Sequence, residues 1–412
     1  MAGGGTGGAT VFSGEQFNHT NAEVIYLDFS ITSMKIAQRR ARTRHLKNIV
    51  WVRSWIEDAR FLGMGLFNEL SCSGVLHHLK SPPFGLNILK DVLKPDGKMG
   101  LMVYAKYGRS AVYHIQALMK MINSYGTSEI KRELDNAQHA LAVLPKHNWF
   151  LLNEFMNDHK KGPIGIYDLL LHKRDVAYSF ETLFKWINNG GLHFVDLDFY
   201  FQRYLIKPKY AFHDHMIKRT LSKLGLAKQL HASELLVGKL IKHTFYSSKT
   251  QNNLADVHDD SNVMYIFGSP HGLRDALNNK QNYIIYENEP YFVTRLSRRL
   301  IVQGHMDSKR MPFEDETQQN DGVKFGFRTN NFTKFLVNRL TSSNKGVNLK
   351  SLYSDYKKAS NSNITKEGLS NLLDQFYNDV VDTEIFLLKK NYIPPFPKTA
   401  YCNFFKINPA TM

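Results

Sequence analysis

Tyr26-Leu27-Asp28-Phe29-Ser30 follows about 20 residues after Gly3-Gly4-Gly5-Thr6-Gly7-Gly8, and this pair of segments decides how the first hundred residues are read. Glycines without a Cβ let backbone N–H groups approach a ligand closely, and a helix beginning after them offers its positive end. A carboxylate at the end of the next strand can accept both hydroxyls of a ribose. The glycines alone fit two spacings. Gly3, Gly5 and Gly8 fit G-x-G-x-x-G, as for a dinucleotide, while Gly3, Gly5 and Gly7 fit G-x-G-x-G.

Working outward, strand-like and helix-like segments alternate to about residue 105, which predicts a parallel α/β sheet. Val24 to Leu27 is a short apolar run ending at Asp28, and Ser33 to Arg44 reads as a helix rich in Lys and Arg. Asn48 to Val52 and Phe67 to Ser71 read as strands. Gly85 to Leu93 has helical apolar spacing, Pro95-Asp96-Gly97 reads as a turn, and Met99 to Tyr104 is an apolar strand.

The rhythm then changes. Val112 to Ile122, Glu129 to Leu144 and Trp149 to Met156 read as helices inserted over 106–178. Glu181 to Asn188 is again a helix, Leu192 to Phe199 a strand, 202–236 a basic helical segment and Leu240 to Ser247 a strand. The expected organisation is a domain over 1–250, a linker over 251–262 and an α+β accessory domain over 263–412. In that last part, Asn331 to Leu340, Leu349 to Lys358 and Lys366 to Asp379 read as helices and Thr383 to Leu388 as a strand, an arrangement faintly similar to a winged helix.

Composition narrows the class. The chain has 412 residues, 43% hydrophobic and 22% charged, which excludes collagen-like, wholly disordered and mainly coiled-coil chains. Cys72 and Cys402 are too few for a disulfide framework or a thiolate zinc site, so a reducing, cytoplasmic setting is expected. No apolar run is long enough to span a bilayer, and no signal peptide is expected. The net charge is +16, and 201–250 carries ten Lys or Arg against Asp214 and Glu234. An anionic partner would meet Arg203, Lys207, Lys209, Lys218, Arg219, Lys223 and Lys228 there, although no recognition motif accompanies the charge.

Four further segments, in order, resemble class I S-adenosylmethionine-dependent methyltransferases: Tyr26 to Ser30 with Met34-Lys35-Ile36-Ala37, Trp55-Ile56-Glu57-Asp58, Leu66 to Leu79, and Leu93-Lys94-Pro95-Asp96-Gly97-Lys98-Met99. The resemblance implies a Rossmann-like sheet with helices on both faces. It implies that Gly3, Gly5 and Gly7 approach the amino-acid end of S-adenosylmethionine and that Asp28 holds the ribose. Phe29, Ile56, Glu57 and Asp58 would surround the adenine, and Ser73 and Gly74 would lie beside the sulfonium. The expected reaction is methyl transfer to a small-molecule or protein acceptor.

Two departures stand out. In the family an apolar first strand precedes the glycine loop, whereas here only Met1 and Ala2 precede Gly3, so that strand is expected to be lacking. Gly8 stands where an acidic residue is common, and Asn68 replaces a frequent Asp. These departures motivate an alternative: the same fold without activity, serving as a binding or scaffold module. A nicotinamide-dependent oxidoreductase rests on the glycines alone, and an RNA methyltransferase on the charge alone. On the acceptor side, Tyr104, Tyr107, Arg109, His159, Tyr167 and His172 are candidate bases or orienting groups. The adjacent pair His77-His78 has no third ligand near it in sequence, so no metal is expected.

Overall fold

Val24-Ile25-Tyr26-Leu27 carries the β-branched and aromatic residues that favour an extended chain, and it forms β1 (Val24–Asp28), paired in parallel with β2 (Ile49–Arg53). The computed structural model describes residues 1–18, 20–125, 129–153, 156–197, 206–212, 214–251, 256–266, 278, 283–286, 289–297, 322–342, 347–360, 363–380 and 386–390. These fall into two units, Met1–Gly14 with Thr20–Asn253, and Glu15–His19 with Leu254–Met412.

In the first unit, β3 (Phe67–Ser73) pairs in parallel with β4 (Leu93–Ala105). β5 (Ala177–Tyr178) adds two parallel residues at the end of β4. β6 (His193–Leu197) and β7 (Lys242–Ser248) complete the order β3-β4-β7-β6, with β7 antiparallel to both neighbours. Met1–Gly3 lies between β1 and β3. The Ala2 N–H donates to the Ser71 carbonyl at 2.8 Å, the Gly3 N–H to the Leu27 carbonyl at 2.8 Å, and the Leu27 N–H to the Met1 carbonyl at 3.0 Å. Met1–Gly3 thus bridges β1 and β3, and the strands run in space β2, β1, Met1–Gly3, β3, β4, β7, β6.

Helices close over this sheet. α1 (Gly8–Phe17) starts directly after the glycines. α2 (Ile31–Thr43) is capped by Ser30, whose side chain accepts the Ser33 N–H, and it buries Met34, Ala37 and Ala41 on one stripe. α3 (Pro82–Asp91) begins three residues earlier than the apolar spacing suggested. Ser81 supplies the cap and Pro82 the pre-set first turn. Leu86, Ile88 and Leu89 of α3 share one core with Leu70, Cys72, Leu101 and Val103 of the sheet, each fully buried aliphatic worth about 1.5–3 kcal/mol.

The insertion has its own core. Val112, Ile115 and Met119 of α4 (Ser110–Ile122) meet Ala137 of α5 (Ile130–Ala142), together with Phe150, Leu169 and Leu170. α6 (Phe180–Asn189) carries a capping box from Ser179 and Thr182, and α7 (Leu226–Val237) precedes β7.

Three expectations need correction. The turn at Pro95-Asp96-Gly97 is absorbed into β4, where the pairing slips between Phe67 and Glu69. The helix expected over 149–156 is one turn, Trp149–Leu152, closed at Asn153. Among the described residues, the basic segment 202–236 is three separate helices, Pro208–Ala211, His215–Leu221 and Leu226–Val237, in place of one. Arg203 lies outside the described residues, and Lys207 is paired with Asp196 at 3.0 Å.

The second unit is α+β. β8 (Asn262–Ile266) pairs antiparallel with β12 (Phe386–Lys390), and β9 (Tyr283–Tyr286), β10 (Glu289–Ser297) and β11 (Gly322–Arg328) form an antiparallel meander. Three helices, α8 (Asn331–Ser342), α9 (Leu349–Ser360) and α10 (Lys366–Val380), bury Leu336, Leu352 and Leu373. The 251–262 stretch, expected as a linker, includes His258. Its Nε2 lies 2.7 Å from Asp374 and its Nδ1 3.0 Å from Ser370, both on α10.

Candidate functional site

The glycine loop takes its shape from what lies beneath it. Gly3, Gly5 and Gly7 have φ of 73°, 52° and 86°, the left-handed region that side chains avoid. A Cβ on Gly3 would sit 2.4 Å from Val75, and one on Gly7 would sit 2.4 Å from the Ala37 Cβ. Nothing lies within 4 Å of the corresponding position on Gly5, so the loop is packed below and open above. α1 follows directly at Gly8.

Asp28 ends β1 against this loop. Its Oδ2 accepts the Gly5 N–H at 2.8 Å and its Oδ1 accepts the Ser30 N–H at 2.8 Å. Each carboxylate oxygen thus keeps a lone pair for a further donor. The Tyr26 hydroxyl donates to the Gly5 carbonyl at 2.7 Å, and Arg40 donates to the Thr6 carbonyl at 2.9 Å, fixing the loop from two sides.

Beside Asp28, the rings of Phe29 and Trp55 stack at 4.4 Å and 7°, both more than half exposed. Ile56 is buried, and Asp58 accepts from the Ser54 hydroxyl at 3.2 Å. The Oε2 of Glu57 is buried without a partner. On the other flank, Gly74 has φ of 75° and donates to the Met102 carbonyl at 3.1 Å, which holds Ser73 and Val75 against Gly3. Of the ten residues expected around the cofactor, Gly3, Gly5 and Gly7 shape the loop, Asp28 and Phe29 stand at the end of β1, Ile56, Glu57 and Asp58 follow β2, and Ser73 and Gly74 stand at the end of β3. Of the two departures, Gly8 opens α1, and Asn68 is exposed and accepts from Lys94 at 3.1 Å.

Past Ser73 and Gly74, the chain makes one tight turn, Leu76–His78, and enters a polar cluster. The rings of His172 and His78 lie 3.9 Å apart, those of His78 and His77 4.1 Å, and those of His77 and Tyr104 3.9 Å. The Arg109 guanidinium covers the other face of Tyr104 at 3.5 Å. Arg109 pairs with Asp175 at 3.1 Å, with side-chain exposures of 3% and 2%. Asp175 also accepts from Gln116 at 3.1 Å and from the Tyr113 hydroxyl at 3.3 Å.

Burial governs the protonation here. It pushes His77 down to about 2, helped by His78, Arg109 and His172, so the ring is neutral. His77 is fully buried and neither ring nitrogen has a partner. Burial also lowers His78, raises Tyr113 to about 12 and raises Tyr104.

Of the six expected acceptor-side residues, Tyr104, Arg109 and His172 come together in this cluster, and Tyr167 opens the helical turn Tyr167–Leu171. Tyr107 instead faces His231 at 5.7 Å, and His159 packs on Phe150 at 4.8 Å. Asp175, Tyr113, Gln116, His77 and His78 were not singled out as acceptor-side groups. The signal available was position: His77-His78 follows the loop after β3, where open α/β sheets bind ligands. Among the described residues, no group of three His, Cys, Asp or Glu is placed to hold a metal ion. No helix among them is long and apolar enough to cross a membrane.

Comparison with known proteins fits this geometry. Residues 2–99 match the family model described as "Methyltransferase domain". An uncharacterized protein of a Synechococcus strain is 29% identical over 206 residues, 47% of this chain and 46% of that protein, so the match spans about half the relative's length. The structure of PKMT2 from Rickettsia typhi in complex with AdoHcy superposes with a TM-score of 0.57 at 12% identity, covering 94% of this chain and 70% of that one. A second structure of PKMT2 gives 0.54 at the same identity. This is a likeness of fold. Residues 2–99, which hold the glycine loop and the ends of β1, β2 and β3, match the methyltransferase-domain family, and the chain shares the fold of these methyltransferase structures.

Proposed function

We propose that the N-terminal unit binds S-adenosylmethionine and transfers its methyl group to a small-molecule or protein acceptor. The observation that carries this reading is the joint geometry of the loop and Asp28. Three left-handed glycines shape the loop, its side at Gly5 is open, and the Asp28 carboxylate that accepts the Gly5 N–H stands beside that opening. The Gly3, Gly5 and Gly7 backbone would receive the amino-acid end of the cofactor, and Asp28 the ribose hydroxyls. Phe29 would pack on the adenine, with Ile56, Glu57 and Asp58 bracketing it and the buried Glu57 Oε2 free to accept a hydrogen bond. Ser73 and Gly74 would flank the sulfur. When bound, S-adenosylmethionine supplies an electrophilic methyl carbon.

The chain's own work is alignment and exclusion of water. The histidine–tyrosine cluster sits next to Ser73 and Gly74 and is the nearest polar surface for an acceptor. The test is a calorimetric titration with S-adenosylhomocysteine. Saturation with a micromolar Kd, about −8 kcal/mol, is expected, with loss in Asp28→Ala. A folded protein that shows no heat of binding refutes the proposal and favours the scaffold alternative, which Gly8 motivates.

A further inference from the structure

We infer that the acceptor stands at the Nε2 edge of the His78–His172 ring pair, that it is an acidic hydroxyl, phenolic or enolic, and that its proton passes to Nε2 of His78. This rests on the reading of the glycine loop as the methyl-donor site. The turn Leu76–His78 is the direct continuation of Ser73-Gly74-Val75, and Val75 touches Gly3. The histidines therefore begin where the donor site ends.

One residue sets the tautomers of two stacked rings. The Nδ1 of His78 lies 2.7 Å from the Arg174 carbonyl, which can only accept. Nδ1 therefore carries the proton, and Nε2 of the neutral ring keeps its lone pair. The Arg174 N–H donates to Nδ1 of His172 at 3.2 Å, so the His172 proton sits on Nε2. Both Nδ1 atoms turn to Arg174, and both Nε2 atoms turn away from it. The free edge thus presents an acceptor on His78 beside a donor on His172.

This pairing selects an acceptor class. A hydroxyl gives its proton to His78 while its oxygen accepts from His172. An ammonium has only donors and nothing to offer the His172 N–H. An aliphatic hydroxyl, near the ~15.7 of water, is too weak an acid for an imidazole held below its usual range, whereas a phenol at about 10 is within reach. The groups around His78 are His77, Tyr104 and His172 in ring contact, with Asp168 and Asp175 nearby. Burial is the main cause that keeps it neutral. His77, buried with two unpartnered nitrogens, is the polar floor of the same site.

The step balances as a displacement. An oxygen lone pair forms the new O–C bond, the C–S bond breaks with its pair going to sulfur, and the O–H proton moves to His78 Nε2. The products are a methyl ether and S-adenosylhomocysteine, and His78 then returns its proton to solvent.

The experiment uses the full chain with methyl-tritiated S-adenosylmethionine, offering phenol, catechol, 4-nitrophenol and Nα-acetyl-lysine methyl ester. Methylation of the phenols is expected. His78→Asn should lower kcat on phenol by about 10²-fold or more and much less on 4-nitrophenol, which ionises unaided. Binding of S-adenosylhomocysteine should be unchanged in that variant, which also shows that it folds. The ring nitrogen spectrum of the wild-type protein should show His78 protonated at Nδ1. Cofactor binding without methylation of any phenol overturns this inference alone, as does methylation of the amine only. Equal losses on both phenols, or a His78 proton on Nε2, overturn it too. Failure of S-adenosylhomocysteine to bind overturns the broader reading and this one with it.

Discussion

Asp175→Ala strands the Arg109 guanidinium in the interior. The side chains are 3% and 2% exposed, and the carboxylate also satisfies Tyr113 and Gln116. Removing one partner of a buried pair costs about 3–5 kcal/mol, because a desolvated charge remains. Gln116 keeps the Leu169 carbonyl at 2.9 Å, so its share of the loss is small. At about 2–4 °C per kcal/mol for a domain of this size, the melting point should fall by roughly 6–20 °C. Tryptophan emission reads this unit by itself, since Trp51, Trp55, Trp149 and Trp186 all precede residue 254. Urea unfolding would supply the free energy. The double variant Arg109→Met, Asp175→Leu should recover most of the stability, since apolar replacement of a whole buried pair is often neutral. A single-variant cost under about 1 kcal/mol would place the pair at the surface in solution. A double variant no better than the single would show that the charge is not the cause.

Gly7→Ala should both destabilise and abolish S-adenosylhomocysteine binding, because the new Cβ meets Ala37 at 2.4 Å with φ at 86°; calorimetry and melting check it together. Asp28→Asn turns an acceptor into a donor against the Gly5 or Ser30 N–H and should weaken that binding by roughly 10- to 100-fold, in line with about 1.5–3 kcal/mol for a charged hydrogen bond. His77 is held down to about 2 when folded and titrates near 6.5 when unfolded, so its contribution is present above 6.5 and is lost as pH falls. Between pH 7.5 and 5.5 the wild type should lose about 1.4 kcal/mol more than His77→Phe, read from urea midpoints at the two values. An equal pH response in the two proteins would refute the buried neutral ring.

The donor half of the site was legible because its chemistry is local. Glycines that must adopt positive φ, a carboxylate at a strand end and a Ser cap on α2 are written within a few residues of one another, and each acts on its neighbours. The acceptor half was less so. Arg109 and Asp175 are far apart in the chain and meet only through the insertion, so no spacing rule joins them. His77 and His78 were visible as a pair but were weighed only against metal ligation, whereas their stacking depends on Tyr104 and His172, which the sheet brings in. Of the strands over 289–297 and 322–328, the first pairs with neighbouring β9, but its pairing with the second is distant in sequence and leaves little local trace. Pro95-Asp96-Gly97 shows the reverse error: these residues stand out of the β3–β4 pairing, whose register jumps from Phe67–Leu93 to Glu69–Lys98, so the turn signal marks an irregularity inside one strand.

The hydrogen bonds of Met1–Gly3 give the glycine loop a second meaning. It is the seam by which the β1–β2 ribbon is sewn to the rest of its sheet, through rungs to Leu27 on one side and Ser71 on the other. A short seam holds with few stitches, and a molecule lying across Gly5, Asp28 and Ser73 would add stitches to both halves at once. Occupancy and cohesion then become a single thermodynamic quantity: each tenfold excess of ligand over its Kd tightens the sheet by about 1.4 kcal/mol. The ribbon in turn should exchange its amide protons fastest when the loop is empty.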